Sequence, residues 1–177
     1  MKLLISAFLV SFLFASCSNE LSKKEALNLL QKEDPKIIFY RIYTADPGHA
    51  ERLIQQGFVE KGLVKIDSNA SILSQRIFFT DKTKDLLTPT PPEEKTALIQ
   101  RVKTAEKYVK EISGIRMMGK EKAVVEFVTV YRNLTPFSTL SKKAIKEEQE
   151  APAKAYFSKY TDGWRIDNRN SLDFLME

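Results

Sequence analysis

The chain is poor in the residues that most often carry chemistry. It has one cysteine (Cys17), one histidine (His49), one tryptophan (Trp164) and six glycines in 177 residues. A single histidine and a single cysteine exclude multi-histidine and multi-cysteine metal centres, and one thiol excludes an internal disulfide. Few glycines leave little room for a phosphate cradle, and neither G-x-x-x-x-G-K-[ST] nor G-x-G-x-x-G occurs. There is no G-x-S-x-G nucleophile elbow. No metal or other cofactor is expected. A membrane-spanning helix needs about 18–20 apolar residues, and the longest run, Leu3 to Ala15, is too short. Positive charge is in thin surplus, at +5 formally. The densest basic stretch, Lys142-Lys143-Ala144-Ile145-Lys146, runs straight into Glu147-Glu148-Gln149-Glu150. Adjacent blocks of opposite sign mark a solvated segment rather than a nucleic-acid face. No internal repeat is visible.

What the chain does have is a distinctive start. Met1-Lys2 precedes a predominantly apolar run from Leu3 to Phe14, followed by Ala15-Ser16-Cys17. A basic start, a short apolar segment and small residues before a cleavage point make a secretory signal. Ordinary cleavage near Ser16 would leave Cys17 as an odd, exposed thiol, which secreted proteins avoid.

The block resembles the bacterial lipoprotein signal. That resemblance implies loss of residues 1–16, lipidation of Cys17 with palmitate-type acyl chains, and a tether over residues 17–22. Ser18 after the cysteine implies sorting to the outer membrane, facing the periplasm. A diacylglycerol thioether plus an amide-linked acyl chain would give stable attachment, since one chain alone holds only reversibly. The mature domain would then hold no thiol nucleophile. The chain as a whole is similar to small envelope lipoproteins of Gram-negative bacteria.

The remaining sequence reads as an α+β protein, with a small helix and strand unit over 23–88 and a β-rich unit over 89–177. Ser22-x-x-Glu25 is a capping box, and Ala26, Leu27, Leu29 and Leu30 give a short helix ending near Asp34-Pro35. Lys36–Thr44 is dense in β-branched and aromatic residues and predicts a strand. Asp46-Pro47 starts a second helix, which Gly57 ends. Leu63–Ile66 and Arg76–Thr80 predict two strands, and Thr80 or Asp81 caps a last short helix. Thr88-Pro89-Thr90-Pro91-Pro92 interrupts regular structure. Residues 97–109 fit a helical stripe or an irregular strand, with the strongly β sequence that follows favouring strand. Ile112–Met118 and Ala123–Asn133 predict a hairpin. So do Ala155–Tyr160 and Trp164–Asp167, joined by an Asp162-Gly163 turn.

Candidate sites are few. His49 could pair with Asp46 or Glu51 as a general base, yet it falls in a first helical turn where an exposed, inert histidine is the simpler expectation. Asn133-Leu134-Thr135 matches a glycosylation acceptor but reads as a turn. Phe137 follows the strongest strand, and Tyr156, Phe157, Tyr160 and Trp164 cluster on the last hairpin. Such aromatics form core or cross-strand pairs, or else Phe137, Tyr156, Tyr160 and Trp164 line a ligand or partner surface. Leu53-Ile54-x-x-Gly57-Phe58-Val59, Leu63-Val64 and Phe79-Thr80-Asp81-x-x-Lys84-x-Leu86-Leu87 are similar to winged-helix modules over 46–87. That helix offers Arg52, Gln55 and Gln56 toward bases but also Glu51.

The expected function is a membrane-anchored, non-catalytic binding or assembly module of the cell envelope. Its partners would be an envelope protein or a small apolar ligand, with no nucleic acid. The alternatives are an envelope hydrolase with a carboxylate site and, third, nucleic-acid binding through the winged-helix-like unit.

Overall fold

The computed structural model describes residues 20–71 and 73–168. Cys17, the signal segment and the tether through residue 19 lie outside them. Helix α1 (Lys23–Gln31) starts where Ser22 accepts a hydrogen bond from the Glu25 N–H at 3.1 Å, and it buries Ala26 and Leu30. Helix α2 (Pro47–Gln55) starts on Asp46, whose carboxylate accepts from the His49 N–H at 2.6 Å, and it buries Ala50 and Leu53. Gly57 at φ +73° turns the chain out of α2, a left-handed conformation that costs glycine nothing. Between the helices runs β1 (Lys36–Tyr43), and after α2 come the paired strands β2 (Val64–Ile66) and β3 (Ile77–Phe79). Thr80 precedes a 3-10 helix (Asp81–Leu86), but its hydroxyl donates to the Gly62 carbonyl at 2.7 Å instead of capping.

The rest is the sheet. Helix α3 (Pro92–Thr96) leads into β4 (Ile99–Met117), β5 (Lys122–Arg132), a 3-10 helix (Pro136–Leu140), β6 (Glu150–Tyr160) and β7 (Gly163–Asp167). The strands order β1-β4-β5-β6-β7, every pair antiparallel. The protein is α+β with a C-terminal antiparallel sheet. The ambiguous stretch 97–109 is strand from Ile99 onward. The last hairpin turns on Thr161-Asp162, one residue before the expected pair, with Gly163 opening β7 at φ +127°. Strand β1 forms an edge of this sheet. The proline-rich stretch also lies along β4, with the Thr88 N–H bonded to the Arg101 carbonyl and Leu87 bridging to Val102.

Strand β4 is interrupted three times. Thr104, Lys110 and Ser113 each lack a cross-strand partner where their neighbours have one. Each bulge adds a residue, sharpens the twist and restores the facing of the next residues. Because β1 and β5 run without such insertions, their alternation fixes the faces. Tyr40, Ile42 and Val102 share one face of the sheet with Val109, Ile112, Ile115 and Met117. That face carries both hydrophobic cores. The first packs Ile42 and Val102 with Leu53, Phe58, Val64, Ile77 and Phe137 under α2 and the β2–β3 ribbon. The second packs Ala123, Val125, Phe127, Phe157 and Trp164 under α1.

Candidate binding cleft

The four aromatics expected to line one surface are separated. Phe137 is fully buried in the first core, stacked on Phe58 with centroids 5.0 Å apart. Trp164 is buried in the second core. Alternation along β6 sends Phe157 inward and turns Tyr156 and Tyr160 to the other face, where Tyr160 is 51% exposed beneath the Arg165 guanidinium. Phe137 and Trp164 therefore cannot belong to an exposed surface, because burial gains more from large aromatics than exposure does.

His49 is also not the exposed residue expected. Its ring stacks on Tyr43 at 5.7 Å, its Nδ1 accepts the Tyr43 N–H at 3.1 Å, and its Nε2 lies 3.3 Å from the Tyr40 hydroxyl. Its Nδ1 thus satisfies a backbone donor at the end of β1, which is a structural task. The polar side chains of α2 are likewise engaged within the protein. Arg52 donates to the Tyr40 hydroxyl, Gln55 to Glu51, and Gln56 accepts from Thr139.

Several carboxylates form ion pairs. Glu106 accepts from Lys103 at 2.5 Å, from the Tyr108 hydroxyl at 2.6 Å and from the Asn133 amide at 2.6 Å. These bonds, the Lys103 one foremost, push its pKa down to about 2. The Arg101 guanidinium grips Glu94 with two bonds of 2.6 Å and holds its carboxyl below the usual range. Glu126 and Glu148 are lowered by bonds from Lys154 and Arg132. A general acid needs a shift in the opposite direction. Among the described residues no group of three or more His, Cys, Asp or Glu could hold a metal ion, and no helix is long and apolar enough to cross a membrane.

Two hollows remain. One, of about 320 Å³, lies beside the C-terminal end of α1. Leu30, Val109, Phe127, Ala153, Ala155 and Ile166 line its apolar part. Its polar lining includes Glu33, Asp34, Lys36 and Lys107. Asp34 is committed, since its carboxylate accepts the Val109 N–H at 2.8 Å beside the Lys110 bulge. Lys36 and Lys107 face each other directly across β1 and β4. Burial, then the charge of Lys36, lowers the pKa of Lys107, whose ammonium lies 5.8 Å from the Tyr131 ring centroid. Among the described residues neither lysine is in an ion pair. Like charges set opposite on a sheet repel, so this pair is a local electrostatic cost. The second hollow, of about 840 Å³, lies between the tips of the two hairpins and is lined by Glu20, Met117, Gly119, Lys120, Tyr160 and Thr161 among others.

The lysine pair escaped the sequence reading. Both residues look like solvated lysines at strand positions, and only the β1–β4 register brings them together. Comparison with protein-family profiles, curated proteins and solved structures finds no match to this chain.

Proposed function

We propose that the mature protein is a lipid-anchored, non-catalytic binding module of the bacterial cell envelope, and that the cleft beside α1 takes a small amphiphile with an anionic head. The address rests on the signal block ending at Cys17. The binding reading is carried by one observation: an unpaired lysine couple, Lys36 and Lys107, standing beside an apolar wall. An alkyl chain would bury surface against Leu30, Phe127 and Ile166. A carboxylate or phosphate head would relieve the repulsion between the two ammonium groups and accept charge-assisted hydrogen bonds. The hollow has the size of a small-ligand site, at the lower end of the usual range. Ion-paired carboxylates held in their charged form suit a fixed wall more than proton transfer.

Two measurements test the reading. Labelled palmitate fed to a Gram-negative host should be incorporated into the wild type and not into Cys17→Ala; absence of label on both removes the anchor. Calorimetric titration with laurate should show saturable binding that weakens at least tenfold in Lys107→Met, with dodecanol binding more weakly than laurate. Equal affinity for the charged and neutral chains would reject the anionic head, and no binding of either would reject the cleft.

A further inference from the structure

Leu21 is 5% exposed and packs into the second core, immediately before Ser22 caps α1. Cys17 is only four residues upstream. An extended chain spans at most about 3.6 Å per residue, so Cys17 lies within about 14 Å of the Leu21 backbone in any conformation. Strand β4, by contrast, has 19 residues and reaches on the order of 60 Å at strand rise. A lipid on Cys17 therefore leaves the domain no freedom to stand away from the bilayer or to choose which end faces it.

The end it must present is defined by Glu20, which lines the same hollow as Gly119, Lys120, Tyr160 and Thr161 at the hairpin tips. We infer that these two hairpin tips, 117–121 and 160–162, dock on the phospholipid headgroups, standing the sheet on the membrane with β2–β3 at the far end. The inference rests on the lipid anchor proposed above. The chemistry of the tips fits such a surface. Met118 is 39% and Tyr160 51% exposed, and tyrosine places its ring among acyl chains and its hydroxyl among headgroups. Lys120 is balanced by Glu121 at one turn and Asp162 is ion-paired with Arg165 at the other, so the tips meet headgroups through Met118 and Tyr160 rather than through net charge. The cleft opens beside the other end of α1, about 13 Å up that nine-residue helix, and would stand clear of the headgroups.

The test uses full-length protein processed in the host and reconstituted in phosphatidylethanolamine–phosphatidylglycerol vesicles. Lipidation consumes the sulfur of Cys17, so Lys120→Cys, Met118→Cys and Ser68→Cys each offer one reactive thiol for an environment-sensitive dye. Dyes at 118 and 120 should shift to the blue on reconstitution and be quenched by aqueous iodide at least threefold less than the dye at 68. Protein that carries acyl mass and floats with the vesicles, yet is quenched equally at all three positions, overturns this orientation and leaves the anchor standing. Protein without acyl mass that fails to float overturns the anchor and the orientation with it.

Discussion

Glu106 illustrates how single residues set the pH response. Its folded pKa, about 2, lies below the ordinary glutamate value near 4.3, so the folded state binds fewer protons in between. The resulting stability is full above about pH 4.5 and is lost as pH falls toward 2. Glu106→Gln should cost about 1–2 kcal/mol at pH 7, the worth of charge-assisted bonds. In urea melts the gap to wild type should narrow between pH 4.5 and 2; a gap that stays constant would contradict the bonding pattern. Lys107 works in reverse. Its lowered pKa means the charged form is penalised on folding, so wild-type stability rises as pH climbs through that lowered value toward the ordinary lysine range. Lys107→Met should therefore gain about 0.5 kcal/mol at pH 7, reduced by solvent screening, while losing laurate. Gain of stability with loss of binding is the signature of a strained site, and a neutral or destabilised variant that still binds would refute it. Little of this was legible. Glu106 and Lys103 are near neighbours in the chain, but Asn133 meets them only through the β4–β5 register.

At the scale of elements, the capped helices and both hairpins were readable because caps and turns are local chemistry. Ser22, Asp46, Gly57 and Gly163 each do what their residue type allows at that position. The difficulty over 97–109 has a physical source in the three bulges of β4. Apolar residues of the core face fall at 102, 105, 109, 112 and 115, with Lys107 on the same face between Ala105 and Val109, and this is close to helical spacing although the backbone is extended. Each extra residue lengthens one step from two to three, and the lysine at 107 removes an apolar position from the strand alternation. A consequence can be checked by deletion. Ile112 pairs with Phe127 and Gly114 with Glu126, so removing Ser113 leaves every partner and every facing unchanged. The deletion should fold with a cooperative urea transition and lose less than about 2 kcal/mol; a non-cooperative melt would mean the bulge is needed for packing. The separation of Phe137 from Trp164 was not legible, because strand alternation tells which residues are buried and not in which core.

For the whole molecule, β4 is a beam shared by both cores on one face of the sheet. Phe137→Ala, emptying the first core, should cost about 3–4 kcal/mol and lower a single transition seen equally by far-UV signal and by Trp164 fluorescence from the second core. Two separate transitions would show that the cores melt independently. The same beam sets an order in time. Strand β1 appears first along the chain, yet its partners lie from 56 residues (Tyr43↔Ile99) to 71 residues (Lys36↔Lys107) downstream. Closing that loop costs entropy before any pairing repays it, whereas β4–β5 and β6–β7 close over short turns. The edge strand is thus the last piece to be set, and β1 substitutions such as Ile42→Val should speed unfolding while leaving refolding rates nearly unchanged. Until β1 arrives, β4 has an open edge along Ile99–Lys107, and the lysine couple that shapes the cleft does not exist: the proposed binding site is the final product of folding, completed by the strand that has waited longest.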